Sequence, residues 1–115
     1  MFVLSRKYED FSNKLVDICK VLDGQNEIVV LLLTVSMNIN KCICQLEKVD
    51  SPPALIKAQK GAFKEIDACE FIIEMLTKDG SITNTQSVSV LADCILLRNL
   101  IKSGQTRDES SQKYN

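Results

Sequence analysis

Three lysines and four carboxylates between positions 57 and 74 are the residues best placed to do chemistry. Lys57, Lys60 and Lys64 are three and four residues apart, so on a helix they share one face and form a weak basic spot. Such a spot could contact the phosphates of a nucleic acid, or it could be a solvated helix face. A formal net charge of -1 argues against a general nucleic-acid binder, because such proteins usually carry a strong basic excess.

The carboxylates could hold a metal ion in two pairings, Glu65 with Asp67 or Glu70 with Glu74. Glu70 and Glu74 are four residues apart and therefore share a helix face. No third ligand is apparent on the same helix, and a solvated acidic face fits the pattern better. We expect no metal site and no cofactor.

Histidine is absent from the sequence. The commonest general acid/base and the commonest metal ligand are therefore missing. Helical ribonucleases of the HEPN type need an arginine–histidine motif, so that class of enzyme is excluded. The sequence favours a protein that is not an enzyme.

Five cysteines stand among apolar neighbours, at Cys19, Cys42, Cys44, Cys69 and Cys94. The odd count, without a signal-peptide pattern, indicates reduced thiols in the core of a cytosolic protein. Cys42 and Cys44 are two residues apart, so on a helix they point in nearly opposite directions and cannot share one metal ion. Small buried side chains are a better interpretation than a zinc or redox site.

Four amphipathic helices are expected to position these residues, at about 5–23, 26–48, 53–78 and 85–103. Ser5 is suited to cap the first helix and Ser51 the third, while Gly24 suits the end of the first. We expect one domain over 1–104, followed by a disordered tail over 105–115.

The second helix is apolar nearly all round, so it must be surrounded by other helices or by copies of itself. Short loops between four helices predict an all-α fold, an antiparallel up-down four-helix bundle. All four helices carry more apolar surface than one stripe requires, which favours assembly into a cyclic homo-oligomer. Membrane insertion is not expected, because the uninterrupted apolar run Ile28–Leu33 is far shorter than the about 20 residues that a bilayer needs.

A few small or polar residues interrupt the apolar helices. Ser36 and Asn40 are four apart and share a face, so both could bond a neighbouring helix; alternatively they are exposed, or Ser36 bonds its own helix. Gly61 lies inside the third helix, where an unforced glycine usually marks the close approach of another backbone.

Three short motifs carry a family resemblance. They are Val-Ser-Met-Asn-Ile-Asn at 35–40, Gly-Ala-Phe-Lys-Glu-Ile-Asp at 61–67 and Leu-Ile-Lys-Ser at 100–103. In order along the chain they resemble the Val-Ser-Ile-Pro-x-Asn, Gly-Ser-x-x-Glu-Leu-Glu and Leu-Ile-Lys-Ser motifs of the bacterial 23S ribosomal RNA intervening-sequence proteins. The Avd-type accessory proteins of diversity-generating retroelements share that fold. The family's proline is Asn38 here, and this chain lacks the basic charge of most members.

The resemblance implies that Ser36, Asn40 and Glu65 bond between the second and third helices, with Gly61 permitting their close approach. These residues would be structural. It also implies a ring-shaped homo-oligomer, commonly a pentamer, which in Avd-type members holds a reverse transcriptase and its template RNA.

We therefore expect a cytoplasmic, non-catalytic, oligomeric adaptor that binds a protein or ribonucleoprotein partner, with a reverse transcriptase as the best-motivated candidate. The alternative is direct binding of RNA or DNA through a ring of the spots formed by Lys57, Lys60 and Lys64.

Overall fold

The computed structural model describes residues 3–103, and four α-helices make up most of that range. Their bounds are α1 Val3–Val21, α2 Asn26–Lys48, α3 Pro52–Lys78 and α4 Asn84–Ser103. The expected tail over 105–115 lies outside the described residues.

Each helix packs against two others in a closed square. Contacts join α1 to α2, α2 to α3, α3 to α4 and α4 back to α1, whereas the diagonal pairs do not touch within residues 3–103. Since the connections are only a few residues long, successive helices run antiparallel. The prediction of an all-α four-helix bundle is confirmed. The bundle measures 50 × 22 × 20 Å.

One apolar core runs along the axis of the bundle, as the spacing of three and four in each helix requires. Its largest fully enclosed side chains come from all four helices and their flanks: Leu4, Phe11, Leu15, Ile18, Leu22, Leu32, Ile39, Ile43, Leu46, Ile66, Ile73 and Leu76, with Leu97 and Ile101 equally buried. Burial of this set from water is the main force that holds the four helices together.

Of the capping residues predicted for the helix ends, Ser51 and Gly24 have the expected roles and Ser5 does not. Ser51 caps α3 as predicted, because its Oγ accepts a hydrogen bond from the backbone N–H of Ala54 at 3.4 Å. Gly24, between α1 and α2, has a φ of +80°, a conformation that favours glycine. The expected N-cap Ser5 is wrong: α1 is already helical at Val3, and the Ser5 hydroxyl instead donates to Glu47 on α2 at 2.6 Å.

Within one protomer α2 is not surrounded on all sides, so its cover by copies of the protein stays a prediction. Its inner face is buried, but Val30 and Met37 on its outer face are each 62% exposed. By length and composition α2 could cross a membrane, yet one such helix is weak evidence because a core helix passes the same test. Of its most apolar stretch, 28% is buried inside the bundle, on the face that packs against α1 and α3.

Candidate functional site

Each of the four contacts between neighbouring helices, called seams from here on, contains a polar or charged pair. On the α1–α2 seam, the Tyr8 hydroxyl donates to the backbone carbonyl of Ser36 at 3.0 Å. It lies at the same distance from the Ser36 Oγ. Ser36 is buried, so this contact satisfies a side chain that water does not reach. The partner helix of Ser36 is thus α1, and not α3 as the family resemblance implied.

On the α2–α3 seam, Asn38 and not Asn40 forms the cross-link. The side-chain amide of Asn38 donates to Glu65 Oε1 at 3.2 Å. Asn40 is exposed, and its side chain makes no hydrogen bond to the described residues. Asn38 therefore makes the contact with α3 that was expected of Asn40, because Asn38 lies on the side of α2 that faces α3.

Gly61 lies on the same seam, half-buried and opposite Cys42. A Cβ placed on Gly61 would meet only the Cys42 Sγ, at 3.8 Å, which is an ordinary van der Waals distance. The neighbouring backbone is not close enough to require glycine, so the predicted close approach of backbones is wrong.

On the α3–α4 seam, Arg98 binds two carboxylates of α3. Its two terminal nitrogens contact the two oxygens of Glu70 at 3.0 and 2.8 Å, and one of them also contacts Asp67 at 2.5 Å. These hydrogen bonds, with Glu70 foremost, raise the pKa of the Arg98 guanidinium above its ordinary value. A bidentate arginine–carboxylate pair forms only in one relative orientation of the two side chains, so it fixes the alignment of α3 and α4.

On the α1–α4 seam, the ammonium of Lys14 lies 3.0 Å from Asp93 Oδ2. This carboxylate oxygen is enclosed by protein, and Lys14 supplies the opposite charge that makes its burial tolerable. Each seam of the square thus holds a polar pair of different chemistry, and together these pairs favour a single register of the four helices.

The candidate nucleic-acid residues lie apart from these pairs. Lys57, Lys60 and Lys64 are all exposed on α3. None forms an ion pair with another of the residues 3–103. They share one strip of the helix surface, which leaves three cationic groups open to solvent.

The cysteines differ in exposure more than the sequence predicts. Cys69 and Cys94 are buried, Cys19 and Cys42 are half-buried, and all five thiols are free. Cys44 is exposed, so the expectation of a buried side chain is wrong there. A hydrogen bond with Cys69, together with burial, raises the pKa of the Cys94 thiol. Burial alone raises the pKa of Cys19, and burial with the nearby Glu65 raises that of Cys42.

A small helical bundle of this kind does not suggest catalysis. In the part of the chain that the structure describes, no group of three or more His, Cys, Asp or Glu residues could hold a metal ion. Of the carboxylate pairs considered for a metal, one is committed elsewhere, because Glu70 binds Arg98.

Sequence reasoning missed Tyr8, Asn38 and the Arg98 cluster. One signal was present for Arg98. It is the only arginine on a largely apolar helix, and a charged side chain in such surroundings needs an acidic partner. No signal identified Tyr8, because a tyrosine in an apolar stripe is indistinguishable from a core residue until the position of its hydroxyl is known.

Comparison with known proteins bears on the fold. No protein-family model matches the sequence, and no curated protein matches it either. Among solved structures, the chain is similar to the crystal structure of a protein of unknown function from the S23 ribosomal protein family of Bacteroides thetaiotaomicron, with 24% identity and a TM-score of 0.77. The match covers 88% of this chain and 96% of that one. At this identity the similarity shows a shared four-helix-bundle fold.

Proposed function

We propose that this protein is a cytoplasmic, non-catalytic adaptor that assembles into a cyclic homo-oligomer, with a pentamer favoured, and binds a protein or ribonucleoprotein partner. The observation that carries the proposal is a pair of unpartnered apolar faces on opposite corners of the bundle. The accessory subunit of a reverse transcriptase is the candidate role, and it rests on the family resemblance of the motifs at 35–40 and 61–67.

The first face lies along the outside of α2. Val30 and Met37 are each 62% exposed, and Leu33 between them is 39% exposed. Cys44 lies two turns beyond Met37 on the same side and is also exposed. Exposed apolar side chains in one row usually mark a surface that another protein covers.

The second face lies along the outside of α4. Val88 is 66% exposed and Ile95, two turns later, is 55% exposed, with the half-buried Leu91 between them. Because α2 and α4 do not touch and both contact α1 and α3, they occupy opposite corners of the square. The two apolar faces therefore point away from each other.

This opposition favours head-to-tail assembly over a two-fold dimer. A two-fold dimer would cover one of the faces and leave the other in water, whereas head-to-tail contacts cover both in every copy. Head-to-tail contacts close into a ring when the rotation between copies allows it. A ring presents several equivalent binding surfaces, which suits a scaffold and requires no catalytic group.

The first test is the solution mass by size-exclusion chromatography with light scattering. Five copies of the 12.9-kDa chain give about 65 kDa. We expect Met37→Glu on α2 and Ile95→Glu on α4 each to lower the mass, since each places a charge in the contact. Ile56→Glu, at an exposed apolar residue of α3, is the matched control and should leave the mass unchanged.

Mixing the two variants separates a ring from other assemblies. The Met37→Glu chain retains its α4 face and the Ile95→Glu chain retains its α2 face. One intact contact can then form between them, so we expect a heterodimer of about 26 kDa. A contact between two α2 faces would instead survive Ile95→Glu and give no heterodimer. A wild-type chain that stays monomeric and captures no reverse transcriptase on co-expression would overturn the proposal.

A second candidate function is direct binding of RNA or DNA. Lys57, Lys60 and Lys64 are exposed on one strip of α3, and Phe71 lies two turns beyond Lys64 with 63% of its surface exposed. Cations followed by an exposed aromatic ring suit phosphates and a stacked base.

The test is the salt dependence of binding to a fluorescent oligouridine. Three phosphate contacts predict a slope of about −2 in a plot of log affinity against log salt concentration. Replacement of the three lysines by glutamine should abolish that slope, and Lys102→Gln on α4 should not. No binding of the wild-type chain at low salt would remove this function.

A further inference from the structure

An open groove follows the α2–α3 seam at the end of the bundle where these two helices are connected. Its volume is about 490 Å³. On the α2 side it is lined by Gln45, Lys48 and Val49, and on the α3 side by Ala54, Lys57, Ala58 and Gly61. None of the outer-face residues of α2 or α4 described above lines it.

The groove exists because α3 presents only small residues along this part of the seam. Ala54, Ala58 and Gly61 are spaced four and three apart, so they form one row facing α2. At Gly61 the nearest atom to an added Cβ is the Cys42 Sγ, at 3.8 Å. At Gly61 itself there is thus room for little more than a methyl group, and it is the volume of the groove as a whole, about 490 Å³, that would admit an aliphatic side chain over an apolar floor.

Lysines stand on both sides of this floor. Lys48 on α2 and Lys57 on α3 line the groove itself. Lys41 and Lys64 are each seven residues, or two turns, further along the same helix faces. All four are exposed and none forms an ion pair with another described residue.

Nearby acids and backbone donors do not reverse this balance. The acids are Glu65, which accepts a hydrogen bond from the neutral amide of Asn38, and the exposed Asp50 in the α2–α3 connection, so the four lysines outnumber them. At the start of α3, Pro52 and Pro53 have no N–H group. The N–H groups of Ala54 and Leu55 donate to the side chain and the carbonyl of Ser51, so they are not available to a ligand. An anion in the groove would therefore be recognised by lysine ammonium groups.

We propose that the α2–α3 groove binds a short acidic segment of a partner protein, with one aliphatic side chain on the alanine–glycine floor and flanking carboxylates paired with Lys48 and Lys57. This inference rests on the proposed adaptor function and specifies the chemistry of the partner. An apolar floor flanked by cations matches such a segment in both polarity and charge.

A peptide fits better than a nucleic acid because no aromatic side chain lines the groove. Single-stranded nucleic acids are usually held by bases stacked on aromatic rings. In this groove the apolar contact comes from alanine, glycine and valine, which suit an aliphatic side chain.

The experiment measures fluorescence anisotropy of a labelled peptide, Gly-Ser-Asp-Glu-Leu-Glu-Asp-Ser-Gly, with the full-length chain. Two control peptides replace either leucine by serine or all the acids by their amides, and a labelled oligothymidine tests phosphate. We expect the first peptide to bind, each control peptide to bind about tenfold more weakly, and affinity to fall as salt rises. Tighter binding of the oligothymidine would overturn the inference in favour of a nucleic-acid site.

Three variants locate the site. The double charge reversal Lys48→Glu with Lys57→Glu should weaken binding by more than about tenfold. Ala54→Leu should fill the groove and weaken binding by about tenfold without a change of charge. Lys102→Glu on α4 carries the same kind of charge reversal away from the groove and should bind like wild type. Equal affinity of all three variants for the peptide would overturn the inference.

The same samples separate this inference from the proposed assembly. Ala54→Leu lies on α3, outside both apolar faces, so the solution mass of this variant should match that of the wild type. Lys48 is five turns along α2 from Val30 and Lys102 is two turns along α4 from Ile95, so both lie in line with the apolar rows, and their variants are compared with the wild type by peptide affinity alone. A ring that does not bind the peptide would refute the groove alone. A monomer that binds it would refute the ring alone.

Discussion

The Tyr8 hydroxyl lies 3.0 Å from both the carbonyl oxygen and the Oγ of Ser36. A phenol has one proton, so when it donates to the carbonyl it is free to accept the proton of the Ser36 hydroxyl. Both polar groups of a buried serine are thus engaged by a single side chain from α1.

Tyr8→Phe tests this contact. The ring still packs, but the buried Ser36 hydroxyl loses its partner, and we expect the free energy of unfolding to fall by about 1 kcal/mol. Urea denaturation measures the change. In a double-mutant cycle with Ser36→Ala, the two effects should add only in part, because both substitutions remove the contact between the two hydroxyls, whereas only Tyr8→Phe removes the bond to the Ser36 carbonyl. Full additivity would show that the contact contributes nothing.

The Arg98–Glu70 pair should stabilise the α3–α4 seam. Arg98→Met preserves the length of the side chain and leaves a half-buried carboxylate without its partner, so we expect a loss of about 1–3 kcal/mol. Arg98→Lys should recover only part of this, because an ammonium cannot bind both oxygens in the planar arrangement of a guanidinium. Lys102→Met, at an exposed lysine of the same helix, is the control and should change stability little. Equal effects at both positions would contradict a specific pair.

Gly61→Ala should stabilise the protein. Glycine inside a helix costs about 0.5–1 kcal/mol relative to alanine, and the added Cβ finds an ordinary contact distance to Cys42. The opposite result is expected for Gly24→Ala, since the positive φ there strains any side chain. Thermal and urea denaturation of both variants would check the signs. A destabilised Gly61→Ala would mean that the seam is tighter than the 3.8 Å contact indicates.

Alkaline pH should destabilise the fold through Cys94. A hydrogen bond with Cys69 and burial raise the pKa of this thiol above its ordinary value of 9.0, so the folded state holds the proton more tightly than the unfolded chain does. The stabilisation is complete below pH 9 and is lost progressively as the pH rises above it. The difference in unfolding free energy between wild type and Cys94→Ala should shrink over the same range. A difference independent of pH would contradict the shift.

The Cys44 thiol reports on the outer face of α2. It is exposed in the protomer, whereas a ring that buries this face would shield it. We expect maleimide to label Cys44 more slowly in the wild type than in Met37→Glu, with peptide-level mass spectrometry as the readout. Half-buried Cys19 on α1 should label equally in both proteins. Equal labelling of Cys44 would place it outside the contact.

The fold was predictable because helix periodicity, the serine before Pro52 and the short connections are local properties of the sequence. The polar pairs were less accessible. Ser36 could be singled out as a polar residue in an apolar helix, but nothing local distinguishes α1 from α3 as its partner. Asn38 and Asn40 are two residues apart and point in nearly opposite directions, so which of them reaches Glu65 depends on which face of α2 packs against α3. The groove depends on what two helices jointly leave unfilled, and neither helix shows that by itself.

Pro52 and Pro53 have a further consequence for assembly. Many bundles dimerise by chain exchange, in which a connection straightens, two helices fuse into one long helix, and the second half of each chain completes the other's core. Here α2 and α3 are separated by three residues, and the prolines that open α3 could not lie inside a fused helix without the loss of hydrogen bonds and a steric clash. Chain exchange through this connection is therefore disfavoured, so the α1–α2 half and the α3–α4 half of each chain should stay in the same bundle when copies associate.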